Sequence, residues 1–161
     1  MSKSAISKRN NSLESIRAWI VRSLVRGGWA PTLVFLLFVI LVKYFDVYNQ
    51  FPEYDIPVHF LGGVAIAYFF HIVSIEGSAH KVLGRFHRVT HCILVLSLTC
   101  TAALFWEFAE FLYDYWFGGS IQAGDLNDTL LDMLLGFVGG VVFLITLCAC
   151  RRLPPSDEEG S

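Results

Sequence analysis

Acidic side chains and one histidine recur inside the apolar stretches of this 161-residue chain. They form three short motifs, Asp55-x3-His59, Glu107-x2-Glu110-x3-Asp114 and Asp128-x3-Asp132. At the helical rotation of about 100° per residue, the members of each motif share one face. An ionised side chain at the centre of a membrane span costs about 2.5–3.5 kcal/mol. Several such groups at one depth therefore require a compensating partner.

The first candidate partner is a divalent cation. An oxygen-rich set with one imidazole nitrogen suits Mg, Mn or Zn better than softer metals. The candidate ligands are His59, Glu107, Glu110, Asp128 and Asp132, with Asp55 and Asp114 as supporting residues. Such a metal would polarise an oxygen or activate a water molecule. Glu107 or Glu110 would then be the general base and thus the candidate catalytic residue.

Other interpretations of the same acids stay open on the residues alone. The carboxyl groups could remain protonated, because desolvation and neighbouring acids favour the neutral form, and they would then relay protons in a proton or cation conductor or a transport subunit. Lys43, near the outer end of the first apolar stretch, could pair with them. A last interpretation is a structural scaffold, in which a hydrogen-bonded polar layer only holds the helices together.

The composition indicates where these motifs lie. Hydrophobic residues make up 55% of the chain and charged residues only 16%, against about 25% charged in an ordinary soluble domain. Lys and Arg are concentrated in short segments that separate long apolar runs, so the net charge of -2 says little by itself. This pattern excludes a soluble enzyme, a disordered tail and a nucleic-acid binder, and it predicts an integral membrane protein in a lipid bilayer.

Four apolar stretches reach the roughly 20 residues needed to cross a bilayer. They run over about 29–48, 57–76, 90–117 and 128–150. We therefore predict an all-α fold, an antiparallel bundle of four transmembrane helices that forms one domain over 29–150. A polar tail follows at 151–161.

Residues 1–28 are predicted to lie at the membrane surface. Residues 1–11 are polar, and we expect them to be disordered. From Ser12 to Gly28 the pattern predicts an N-terminal amphipathic interfacial helix, with Leu13, Ile20 and Leu24 on one side. Such a basic helix suits the surface of an anionic leaflet, although a partner protein would fit it as well.

The basic residues also predict the orientation. Lys and Arg occupy the N-terminal segment, the loop at 77–90 and the tail, whereas the other two loops carry acids and neither basic residue. The positive-inside rule then places both ends in the cytoplasm and the acidic motifs near the outer face. His71 lies deeper without an acidic companion, so we expect an isolated packed residue. We expect His91, beside the basic loop, to face water or lipid headgroups.

Three segments together resemble the signature of YjdF-like inner-membrane proteins, within the broader VanZ-like group of small polytopic bacterial proteins. They are Asp55-Ile-Pro-Val-His59-Phe-Leu-Gly62-Gly63, Trp106-Glu107-x2-Glu110-x3-Asp114 and Gly124-Asp125-x2-Asp128-Thr129-x2-Asp132-x3-Gly136. The resemblance covers about 30–150 and implies helical hairpins in a bacterial cytoplasmic membrane. It implies no particular reaction, although the link of VanZ to glycopeptide resistance points to the cell envelope.

The chain departs from the YjdF-like pattern in one respect. We predict four spans where that pattern has five or six, and the basic N-terminal helix stands in place of the rest. If the protein is an enzyme, we expect chemistry on a lipid-linked or phosphorylated envelope substrate.

Overall fold

The computed structural model describes residues 3–45, 54–118 and 126–150. Within these ranges the chain is entirely helical and contains no strand, which confirms the predicted all-α class. The helices are α1 (Lys3–Gly27), α2 (Trp29–Phe45), α3 (Asp55–Ala79), α4 (Arg88–Phe117) and α5 (Leu126–Ala149).

Helices α3, α4 and α5 are each long and apolar enough to cross a membrane. They contain the predicted spans 57–76 and 90–117 and nearly all of 128–150. Helix α2 has only 17 residues. Its segment Trp29–Leu41 qualifies together with Asn11–Gly27 of α1, from which it is bent by 50°. The described part of the chain thus holds three candidate spans, or four if this bent pair crosses as one.

Helix α1 differs from its prediction in where it begins. The helix begins at Lys3 instead of Ser12, so residues 3–11 are helical and not disordered. Adding residues to an existing helix is far cheaper than nucleating one, and this segment has no Gly or Pro to stop it. The predicted apolar stripe, represented by Leu13 and Leu24, is exposed, whereas Ser23 is buried.

The core lies where α3, α4 and α5 meet. Its buried centre consists of Ala67, Val95, Leu144 and Leu147. Contacts between side chains show that α4 runs antiparallel to α3, because His71 meets His91 while His59 meets Glu107. Helix α5 runs parallel to α3, and their first turns lie together. The two acidic helix starts therefore lie at the same end of the bundle.

Small residues allow α3 and α5 to approach closely, as expected for helix pairs in a membrane. A Cβ atom at Gly63 would overlap the carbonyl group of Gly136, and one at Gly139 would overlap the carbonyl oxygen of Phe60. A Cβ at Gly62, by contrast, would meet no atom. Gly63, Gly136 and Gly139 thus belong to the helix contact, and Gly62 does not.

Candidate functional site

The first turn of α3 provides one side of the acidic cluster. The helix begins at Asp55, where a carboxylate is favoured by the positive end of the helix dipole. Pro57 fits in this turn because its missing N–H would have no helical acceptor. His59 follows one turn later, and its Nε2 atom lies 3.1 Å from Oδ1 of Asp55.

Helices α4 and α5 complete the cluster around the His59 imidazole. Its Nδ1 atom is 3.8 Å from Oε1 of Glu107, and its Nε2 atom is 3.8 Å from Oδ2 of Asp132. Glu107, Glu110 and Asp132 are all buried. Carboxylates from three helices therefore surround a single histidine.

Two overlapping groups have ligand atoms that lie within 4.8 Å of one another. The first contains Asp55, His59 and Asp132, and the second contains His59, Glu107 and Glu110. Each group offers carboxylate oxygens and one imidazole nitrogen, which are the donors that Mg, Mn and Zn take in proteins. These groups could hold a metal ion.

Trp106, which was not among the predicted site residues, holds Glu110 in place. The Nε1 atom of Trp106 donates a hydrogen bond of 2.8 Å to Oε1 of Glu110. The indole ring packs edge-on against Phe35 and Phe38 of α2, with centroid distances of 6.0 and 5.6 Å. Helix α2 thus supports the α4 side of the cluster.

The His59 ring contains a buried nitrogen without a hydrogen bond. The side chain is only 7% exposed, and within the described residues no group forms a hydrogen bond with Nε2. Oδ1 of Asp55, at 3.1 Å, forms an ion-pair contact with this atom if the imidazole is protonated. Leaving a buried polar atom unpaired costs about 1–3 kcal/mol. The nearest charged neighbours of Nε2 are the carboxylates of Asp55 and Asp132, at 3.1 and 3.8 Å.

The remaining predicted residues lie around the cluster or outside the described side chains. Asp128 is partly buried on the first turn of α5, where its charge acts on Asp132 and Glu107, but it belongs to neither group. Asp114 is partly buried one turn beyond Glu110 and also belongs to neither. Lys43 is part of α2, but its side chain is not among those that the structure describes.

A second polar cluster lies deeper between α3 and α4. Nδ1 of His71 is 3.0 Å from Nε2 of His91, and Nδ1 of His91 is 3.1 Å from Oγ of Ser74. All three residues are buried. The expectations that His71 is isolated and that His91 faces water or headgroups were wrong, because α4 directs His91 toward α3. His71 and His91 lie on either side of the short connection at 80–87, and the antiparallel packing of the two helices brings them together.

A third buried polar group, Glu76, was not predicted. Its side chain is 3% exposed and pairs with the Arg26 guanidinium of α1. Nε2 of His80, one turn further along α3, lies 3.5 Å from its Oε2 atom. The indole of Trp19 also donates to the carbonyl of Val73 at 2.9 Å. These contacts fasten α1 to the end of α3 that is remote from His59.

Apolar helices long enough to cross a bilayer, with buried acids where they meet, define a polytopic membrane protein. The comparison with protein families agrees. The chain belongs to the family described as Predicted membrane protein (DUF2238), whose family model matches residues 20–153. The match covers α2 to α5 and every member of the two ligand groups. Comparisons with curated proteins and with solved structures gave no significant match.

Proposed function

We propose that the acidic cluster around His59 is a divalent-metal site near the outer face of the membrane. The observation that carries the proposal is the buried Nε2 atom, which lacks a hydrogen bond and lies 3.1 and 3.8 Å from the carboxylates of Asp55 and Asp132. A metal there would occupy the Nε2 side of the ring. Mg, Mn or Zn suits these donors best.

The other ring nitrogen supports this arrangement. Histidine ligands usually donate their second N–H to a carboxylate or carbonyl, which orients the ring. Glu107 lies 3.8 Å from Nδ1 on that side. Metal binding at Nε2 would make Nδ1 the protonated nitrogen, and a small closure would bring it within hydrogen-bond distance of Glu107.

The proposed chemistry uses the metal and the carboxylates that do not bind it. A metal held by Asp55, His59 and Asp132 would polarise a substrate oxygen or activate a water. Glu110, and Glu107 if it releases His59, would then serve as the general bases. Because we place the site near the outer leaflet, we propose a lipid-linked or phosphorylated molecule of the cell envelope as substrate.

We also propose that this chain is a YjdF-like protein of a bacterial inner membrane, that α2 is a fourth crossing, and that both ends lie in the cytoplasm. Trp29 packs against Tyr68, and Phe38 packs against Trp106, so α2 runs antiparallel to α3 toward the acidic layer. Reporter domains fused to either end should be active only in the cytoplasm. Activity of a periplasm-specific reporter at either end would contradict this topology.

A proton conductor is the second candidate, and the buried His71–His91–Ser74 cluster favours it. This cluster and the acidic one lie along the same helices. Between them lies the apolar centre containing Ala67 and Val95, both fully buried. A conductor would have to hydrate this layer, whereas a metal site requires no such change. Acid-driven proton flux in proteoliposomes that is abolished by Glu107→Gln would favour conduction.

Metal analysis of the detergent-purified protein tests the principal proposal. We expect nearly one divalent ion per chain, and its loss in Asp132→Asn and in His59→Gln. Glu76→Gln is the matched control, because it removes a buried carboxylate about 25 Å along the same helix. Protein that carries no metal and binds none on titration with Mg, Mn or Zn would overturn the proposal.

A further inference from the structure

An apolar groove runs along α4 toward the acidic cluster. It has a volume of about 420 Å³ and is lined mainly by Phe70, Leu98, Ala102, Phe105, Trp106 and Ala109. The α4 residues that line it lie between positions 98 and 109, which are about 16 Å apart along the helix. Its volume falls within the roughly 300–1,000 Å³ typical of ligand sites.

The groove and the acidic cluster share a wall. Trp106 lines the outer part of the groove, and its Nε1 atom donates to Oε1 of Glu110 at 2.8 Å. Ala109, the last lining residue, directly precedes Glu110. A molecule lying in the groove would therefore have one end within a side chain's length of the carboxylates.

The lining indicates a hydrocarbon occupant. Thr101 is the one lining residue with a hydroxyl group, and that group already donates to the carbonyl of Ser97 at 2.9 Å. The groove offers no other polar side-chain atom except the Trp106 indole N–H, which is bonded to Glu110. It lies along a helix that is long and apolar enough to cross a bilayer, where the surrounding medium consists of acyl chains.

We propose that this groove binds an acyl chain of a lipid whose phosphate headgroup lies at the acidic cluster. The inference rests on the proposed metal site, because carboxylates alone repel a phosphate. A divalent cation held by one or two carboxylates commonly takes phosphate oxygens as its remaining ligands. The bound metal thus selects the headgroup, and the groove receives the chain from the outer leaflet without passage through water.

The test uses Trp106 as the reporter. In the full-length chain, the other three tryptophans are replaced by phenylalanine, and the protein is placed in phosphatidylcholine nanodiscs with Mg²⁺. A lipid with brominated acyl chains is then added, either phosphatidic acid or phosphatidylcholine. Bromine quenches indole fluorescence on contact. We expect phosphatidic acid to reach half-maximal quenching at a mole fraction at least about fivefold lower than that for phosphatidylcholine. Such a difference corresponds to a modest coupling between the metal site and the groove. EDTA or Asp132→Asn should remove this preference.

A pair of variants separates the groove from the general lipid surface. Ala102→Phe fills the groove and should reduce quenching by both lipids. Leu104→Phe adds a ring on an exposed part of the same helix outside the groove, and it should change neither curve.

The outcomes separate the two proposals. If Mg²⁺ binds but both lipids quench Trp106 equally, the groove holds bulk lipid and this inference is overturned while the metal site stands. If no divalent ion binds in a separate titration, both proposals fail. Absence of quenching together with cross-linking of two chains through α4 would show that a second copy covers the groove, which also overturns the inference.

Discussion

Gly63 of α3 lies against the carbonyl group of Gly136 of α5, with no room for a side chain between them. Each glycine follows a cluster residue by one helical turn, Gly63 after His59 and Gly136 after Asp132. A close approach of the two helices therefore lies one turn from the imidazole and the carboxylate. Nε2 of His59 and Oδ2 of Asp132 are 3.8 Å apart there.

Substitution of Gly63 should separate these two side chains. Gly63→Ala forces α5 away from α3, and overpacking of this kind costs about 1–3 kcal/mol. We expect a lower melting temperature in detergent and weaker metal binding. Gly62→Ala is the control, since a Cβ there meets no atom, and it should leave both properties unchanged. Equal effects of the two substitutions would show that the glycine contact does not position the site.

Divalent metal should stabilise the folded protein. A ligand at a concentration 100 times its Kd adds about 2.7 kcal/mol to the free energy of unfolding. The melting temperature should therefore rise on titration with the bound metal and fall again with EDTA. Carboxylate and imidazole ligands must lose their protons to bind a metal, so the stabilisation should weaken as the pH is lowered.

The same measurement on variants identifies the ligands. Asp132→Asn should abolish the rise in melting temperature, whereas Glu76→Gln should lower the starting value and leave the rise intact. A metal response that survives in Asp132→Asn would place the ion elsewhere.

The ion pair between Arg26 and Glu76 should fasten α1 to the bundle. Removing one partner of a fully buried pair costs about 3–5 kcal/mol. Arg26 is 57% exposed, and His80 stays near Glu76, so Arg26→Ala should cost less than that range. We expect faster proteolysis within α1 and a lower melting temperature. Arg22→Ala, on an exposed position of the same helix, should have little effect.

A double substitution tests whether the loss arises from the unpaired carboxylate. Arg26→Ala combined with Glu76→Gln should recover most of the stability, because the buried charge is then removed as well. If the double variant is no more stable than Arg26→Ala, the pair does not act through charge.

The hydrogen bond between His71 and His91 should make their substitutions non-additive. Either single change to leucine leaves the other imidazole with a buried polar atom unpaired, at a cost of about 1–3 kcal/mol. The double change removes both polar groups, so its destabilisation should be clearly smaller than the sum of the two. Chemical denaturation of the three variants measures this coupling. Additive losses would mean that the two rings do not interact.

The long helices and the faces that carry the acidic residues were predictable, because each depends on the local sequence of one helix. Apolar length predicted α3, α4 and α5 within a few residues, since a bilayer demands helices of that size. Helical spacing placed Asp55 with His59, and Glu107 with Glu110, on common faces. The fixed rise per residue placed these pairs at one depth. Each of these inferences concerns one helix and its position across the membrane.

The other features depend on how the helices pack against one another. Helical spacing did not show that His91 faces His71, that Arg26 reaches Glu76, or that Trp106 supports Glu110. The sequence alone determined that acids from separate helices reach one layer. Only the tertiary structure decided that they surround the unpaired Nε2 atom of His59, because the rotation of each helix about its own axis is set by contacts between helices, above all the glycine contact between α3 and α5.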